Sequence, residues 1–84
     1  LNRVEELEIL EDTEKFYKII GQNVKKYRQK AHFSQLDFAN EIGIKSVSFY
    51  CDCENNKNGK HFNLLHIVRI SKILNISTDN LLKL

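Results

Sequence analysis

The 84-residue sequence contains no proline, no low-complexity tract and no repeat with a period of about 20 residues or more, which excludes a solenoid and a proline-rich linker. No apolar run approaches the roughly 20 residues that cross a bilayer, and no charged start leads into an apolar stretch and a small-residue cleavage site. The expectation is a soluble, cytoplasmic protein with no membrane partner. The chain starts at Leu1 rather than at a methionine, the expectation being a trimmed or partial product. Cysteine is scarce: Cys51 and Cys53 stand two residues apart in a segment that reads as helix, where their side chains diverge and cannot bridge. They are read as reduced thiols. With His61 and His66 they do not follow the spacing of a zinc finger, and the two histidines are read as surface or loop residues. A nucleophile elbow, a phosphate-cradling glycine loop and a metalloprotease motif are all missing. Neither an enzyme, a metal, a cofactor nor a small-molecule ligand is therefore expected.

A chain this short buries only about 60% of the surface its unfolded form exposes, so it supports one core. That core is patterned as helix, with strand signals nearly absent. Apolar residues recur at helical spacing through Phe16, Ile19, Ile20, Val24, Tyr27 and Ala31, with Lys25, Lys26 and Lys30 between them, which predicts a first helix over about 14–31. Ser34 is a good N-cap for a second helix over about 35–42, which carries Leu36, Phe38, Ala39 and Ile42 and stops at Gly43. Ser46 opens a third over about 47–54, closed by the polar run Asn55 to Lys60. Asn63 caps a fourth, almost wholly apolar helix from Leu64 to Leu74, and Ser77 a last one with Leu81, Leu82 and Leu84.

Net charge is only +2, but it is unevenly placed. Residues 1–15 carry six acids (Glu5, Glu6, Glu8, Glu11, Asp12, Glu14) against Arg3 and Lys15, a net −4. The rest carries 11 Lys and Arg against five acids, a net +6. The reading is an acidic N-terminal extension over 1–15 and a basic domain over 16–84. Val4, Leu7 and Leu10 make the extension a weakly amphipathic helix that should fray without a partner.

Two short helices joined by a turn at Gly43, with a basic loop after the second, form a helix-turn-helix pattern. The residues that fill it are specific. Arg28 lies six positions before Ser34-Gln35; Phe38-Ala39 and Ile42-Gly43 follow; Glu54-Asn55 closes the third helix. The segment Ile70-Ser71-Lys72-Ile73-Leu74-Asn75-Ile76-Ser77 then leads to Leu81-Leu82. From Ile20 to Leu82 the chain resembles the lambda-repressor/Cro (XRE-like) helix-turn-helix family. The resemblance implies an all-α, compact five-helix repressor-like domain, with Arg28 and Glu54 as a buried structural ion pair. It departs from the family in four places. His32 stands where the first helix usually ends in glycine. Glu54 arrives one residue late, which implies an extra residue near Ile44-Lys45. The loop between Glu54 and Asn63 is about two residues longer than usual for the family, and Phe62 replaces the customary proline.

What the resemblance implies about function is sequence-specific binding of double-stranded DNA by a transcriptional regulator, with the third helix in the major groove. Lys45, Ser46, Val47, Ser48, Cys51 and Asp52 are then the candidates for base edges. Gln35, Asn55, Asn56, Lys57, Asn58 and Lys60 are the candidates for the backbone. The third helix lacks Arg and Gln, the commonest bidentate readers, so specificity is expected to be modest. Useful affinity calls for a homodimer on a two-fold site, and Ile76, Leu81 and Leu84 are the candidate seam, the alternative being that those leucines cover the domain's own core or dock a missing C-terminal domain. The alternative is a protein-binding module, antitoxin-like or regulatory, built on the same scaffold.

Overall fold

The computed structural model describes residues 1–84 as five helices and no strand: α1 (Arg3–Lys30), α2 (Gln35–Glu41), α3 (Val47–Asn55), α4 (Leu64–Leu74) and α5 (Asp79–Leu82). No helix is long and apolar enough to cross a membrane. The largest departure from expectation is α1, which begins at Arg3 and not near residue 14. Asn2 caps it through a reciprocal box: its Oδ1 accepts from the Glu5 amide at 2.9 Å, and the Glu5 carboxylate accepts from the Asn2 amide at 3.3 Å. Glu5 and Glu6 in the first turn also suit the positive helix end. No proline or left-handed residue interrupts the chain between this cap and the core, so extension and first helix are one rod of roughly 42 Å at 1.5 Å per residue. Residues 1–16 are nonetheless all exposed, and the first buried side chain is Ile20. The acidic segment thus overhangs the bundle, and the molecule measures 44 × 25 × 18 Å.

The remaining helices surround a core in which Val24, Phe38, Ile42, Tyr50, Ile70 and Leu81 are fully buried. Ile20, Ala39, Ile44, Cys53, Phe62 and Ile67 complete it. Phe62, in the position expected to hold proline, fills space against Tyr50, with ring centroids 5.5 Å apart. Two turns set the angles between helices. After α1, His32 takes the left-handed conformation at φ 64°, and the Phe33 amide reaches back to the Arg28 carbonyl at 3.2 Å. After α2, Gly43 does the same at φ 78°, with the Ile44 amide on the Ala39 carbonyl at 2.9 Å. Both are the wrapped ending in which a left-handed residue returns orphan carbonyls to partners. The His32 turn therefore has the same wrapped geometry as the Gly43 turn, at the steric cost of a left-handed residue with a β-carbon.

Helix α1 packs on α3 at Gly21. A β-carbon built there would lie 2.5 Å from the Glu54 carbonyl oxygen and 3.0 Å from that of Cys53. Asn23, also buried, donates through Nδ2 to the carbonyls of Leu81 (3.0 Å) and Lys83 (2.6 Å), tying the end of the chain to α1. This placement corrects the expected dimer seam. Leu81 faces inward and is wholly buried, because the polar Ser77–Asn80 turn rotates it onto α1; Ile76 is half-buried against the core, and Leu82 and Leu84 are exposed.

Candidate nucleic-acid interface

One buried carboxylate organises the region between α1, α2 and α3. Arg28 Nε donates to Glu54 Oε2 at 2.9 Å and Arg28 Nη2 to Oε1 at 2.9 Å, a bidentate pair. Tyr50 OH donates to Oε2 at 2.5 Å and Gln35 Nε2 to Oε1 at 3.2 Å. The last Arg28 nitrogen, Nη1, donates to the Phe33 carbonyl at 2.8 Å. The side chains of Arg28 and Glu54 are 8% and 0% exposed, so both charges depend on these partners for the solvation they have lost. Hydrogen bonding to Glu54 raises the Arg28 pKa above its ordinary value against the opposing effect of burial. Burial first, and Glu54 second, push the Tyr50 hydroxyl far above its usual range, keeping it a donor. Burial likewise lifts the Cys53 thiol to about 11, so it stays protonated.

Locked in this way, α3 presents one side outward. Ser46 caps it by accepting from the Phe49 amide at 3.1 Å. Tyr50, Cys53 and Glu54 face inward. Ser48, Cys51, Asp52 and Asn55, at the i, i+3, i+4, i+7 spacing of a single helix face, are exposed or half-buried. Of the six expected base-edge residues, Lys45, Ser46, Val47 and Ser48 are exposed, while Cys51 and Asp52 are half-buried. Asp52 is already engaged: its Oδ2 accepts from Asn58 Nδ2 at 3.1 Å and its carbonyl from the Lys57 amide at 2.9 Å. These bonds fold the polar loop back onto α3 and leave Lys57, Asn58 and Lys60 exposed. Asn55 donates to the Cys51 carbonyl at 3.0 Å, and Asn56 ends the helix in the left-handed conformation. Gln35, expected to meet a backbone phosphate through its side chain or its backbone amide, has its side chain on Glu54, which leaves the amide at the start of α2 for that role.

Of the two histidines read as surface or loop residues, His61 lies in the loop before α4 and His66 in the first turn of α4, and both are half-buried with structural contacts. His61 stacks flat on Tyr17, centroids 3.6 Å apart and planes within 4°, with Nε2 3.8 Å from Glu14, so the loop is pinned against α1. His66 completes the capping box of α4, its amide donating to Asn63 Oδ1 at 2.9 Å and its Nδ1 accepting from the Asn63 amide at 3.1 Å. Burial, then the nearby Arg69 charge, lower the His66 pKa and favour the neutral ring that this bond needs. Both roles depend on distant neighbours or on rotamer, which a spacing argument does not supply.

Sequence reasoning also passed over Lys18, Gln22 and Lys25. They line a notch of about 210 Å³ together with Glu54, Asn55 and Asn56 at the C-terminal end of α3. Their i, i+4, i+7 spacing, which sets them on one face of α1, is the signal the sequence carries for them. Lysines from α1 and from the 57–60 loop thus both adjoin the end of α3. No protein-family model matches the chain, and no curated protein or solved structure shows significant similarity to it.

Proposed function

We propose that the chain binds double-stranded DNA sequence-specifically as a transcriptional regulator of the lambda-repressor/Cro-like helix-turn-helix kind, with α3 in the major groove. The observation that carries this reading is the outward stripe Ser48, Cys51, Asp52 and Asn55, held rigid from behind by the Arg28–Glu54 cluster and adjoined by lysines at its end. A helix that reads base edges needs a fixed orientation, and cationic residues beside it to meet the phosphates. Lys45, Ser46, Val47 and Ser48, at the N-terminal end of α3, are the base-edge readers. Cys51 lies further along, and Asp52 serves chiefly to hold the loop. Lys57 and Lys60 meet the backbone from the loop, which Asn58 holds in place through its bond to Asp52. A homodimer on a two-fold site completes the reading, with Ile76, Leu82 and Leu84 at the seam and Leu81 behind it in the core.

The test is selection from a randomised duplex pool at two salt concentrations, repeated with Lys45→Ala and Lys57→Ala. Recovery of a near-palindromic motif supports the reading, with Lys45→Ala relaxing the preference and Lys57→Ala flattening the salt slope by about 0.9. Binding that is blind to sequence, or no binding, defeats it. Sedimentation of the chain with and without the selected duplex tests the dimer, which a monomer in both would exclude.

A second reading is favoured by the overhang of α1, where Val4, Leu7 and Leu10 are 64%, 53% and 62% exposed among six acids. Such a surface suits a basic protein partner, whose affinity need not follow the logarithmic salt law of phosphate contacts.

A further inference from the structure

We propose that the notch between α1 and the C-terminal end of α3, formed by Lys18, Gln22, Lys25, Asn55 and Asn56, binds a backbone phosphate of the DNA flanking the bases that α3 reads. The inference rests on the DNA-binding reading above and extends its footprint onto the first helix. The close approach at Gly21 produces the notch. Because α1 lies against the carbonyls of Cys53 and Glu54 at that point, the next residue, Gln22, together with Lys18 four residues before it and Lys25 three after, is brought beside Asn55 and Asn56. No apolar side chain lines the notch; Asn55 already donates to the Cys51 carbonyl and the buried Asn56 Oδ1 is an acceptor without a partner, so the donors for a phosphodiester oxygen are the two ammonium groups and the Gln22 carboxamide.

Two features oppose an anion here, and both are outweighed. The C-terminal end of α3 carries a partial charge of about −0.5, against two full positive charges from Lys18 and Lys25. The Glu54 carboxylate is completely buried and neutralised by Arg28, so it repels nothing in the notch. The competing explanation is that the lysines only compensate the carbonyls at the end of α3. That role predicts a lower melting temperature on their removal and no change in how binding responds to salt.

The experiment measures the salt dependence of affinity for the best duplex from the selection, or for a mixed-sequence duplex of the same length if none emerges. The wild-type chain is compared with Lys18→Ala/Lys25→Ala and with Lys72→Ala/Lys83→Ala, which removes the same charge elsewhere. Lys18→Gln/Lys25→Gln replaces the first pair should the alanine variant fold poorly. The expected result is a log–log slope shallower by about 0.9, one phosphate contact, for the notch variant and an unchanged slope for the control. An unchanged notch-variant slope, or an equal loss in the control, overturns the phosphate site while leaving the reading of α3 standing. Absence of any duplex binding by the wild type overturns both.

Discussion

Replacing Glu54 by alanine deletes a single carboxylate and strands a buried guanidinium, the Tyr50 hydroxyl and the Gln35 amide together. Breaking one side of a buried ion pair typically costs about 3 to 5 kcal/mol, because the remaining charge stays desolvated without a partner. A chain of this length has a total stability of only about 4 to 13 kcal/mol at the usual value per residue. The loss is therefore a large share of what holds the fold. At about 4 to 8 °C per kcal/mol for a small domain, the melting temperature should fall by about 15 to 30 °C, read by far-ultraviolet circular dichroism. The physical cause is the stranded charge, so Arg28→Met/Glu54→Met should recover most of the loss. Below its own melting point Glu54→Ala should leave any duplex selected by the parent chain unchanged, since the carboxylate is inaccessible to a ligand. A melting temperature within about 2 °C of wild type, or a double variant no better than the single one, would refute the reasoning; either lies far outside the effect of a stranded buried charge.

Three further outcomes follow from the same structure. Gly21→Ala gains up to about 1 kcal/mol of helix propensity, but its β-carbon meets backbone that cannot swing aside; overpacking of about 1 to 3 kcal/mol should prevail, giving a lower urea midpoint, whereas exposed Gln22→Ala should be neutral. His32→Gly removes the steric cost of a left-handed non-glycine residue and should stabilise by about 0.5 to 1 kcal/mol; a destabilised variant would show that the imidazole makes contacts outweighing the turn. The folded-state pKa of His66 lies below its ordinary 6.5, so its contribution is complete above that pH and is lost as pH falls through the depressed value, where protonation also takes Nδ1 from the Asn63 amide. Between pH 7 and 5 the wild type should therefore lose more melting temperature than His66→Gln, and parallel curves would sink the assignment.

Local rules made much of this protein legible in its sequence. Ser34, Ser46 and Asn63 are the N-caps of α2, α3 and α4, and Gly43 is the left-handed exit of α2. These features depend on a few neighbouring residues, so a one-dimensional pattern contains them. The start of α1 is legible as well, in the Asn2 and Glu5 capping box, whereas the change in charge near residue 15 marks no change in structure. Helices tolerate such a change without breaking. Tertiary structure decided the rest. Only the meeting of α1 with α3 at Gly21 brings Lys18 and Lys25 beside Asn55 and Asn56. The rotation of α5 puts Leu81 inside and Leu82 outside, and the stacking of His61 on Tyr17 anchors the basic loop. The caps and the helical period are set within a turn or two of chain, whereas which faces meet is set by close packing between segments up to 60 residues apart, a distance over which sequence spacing says nothing.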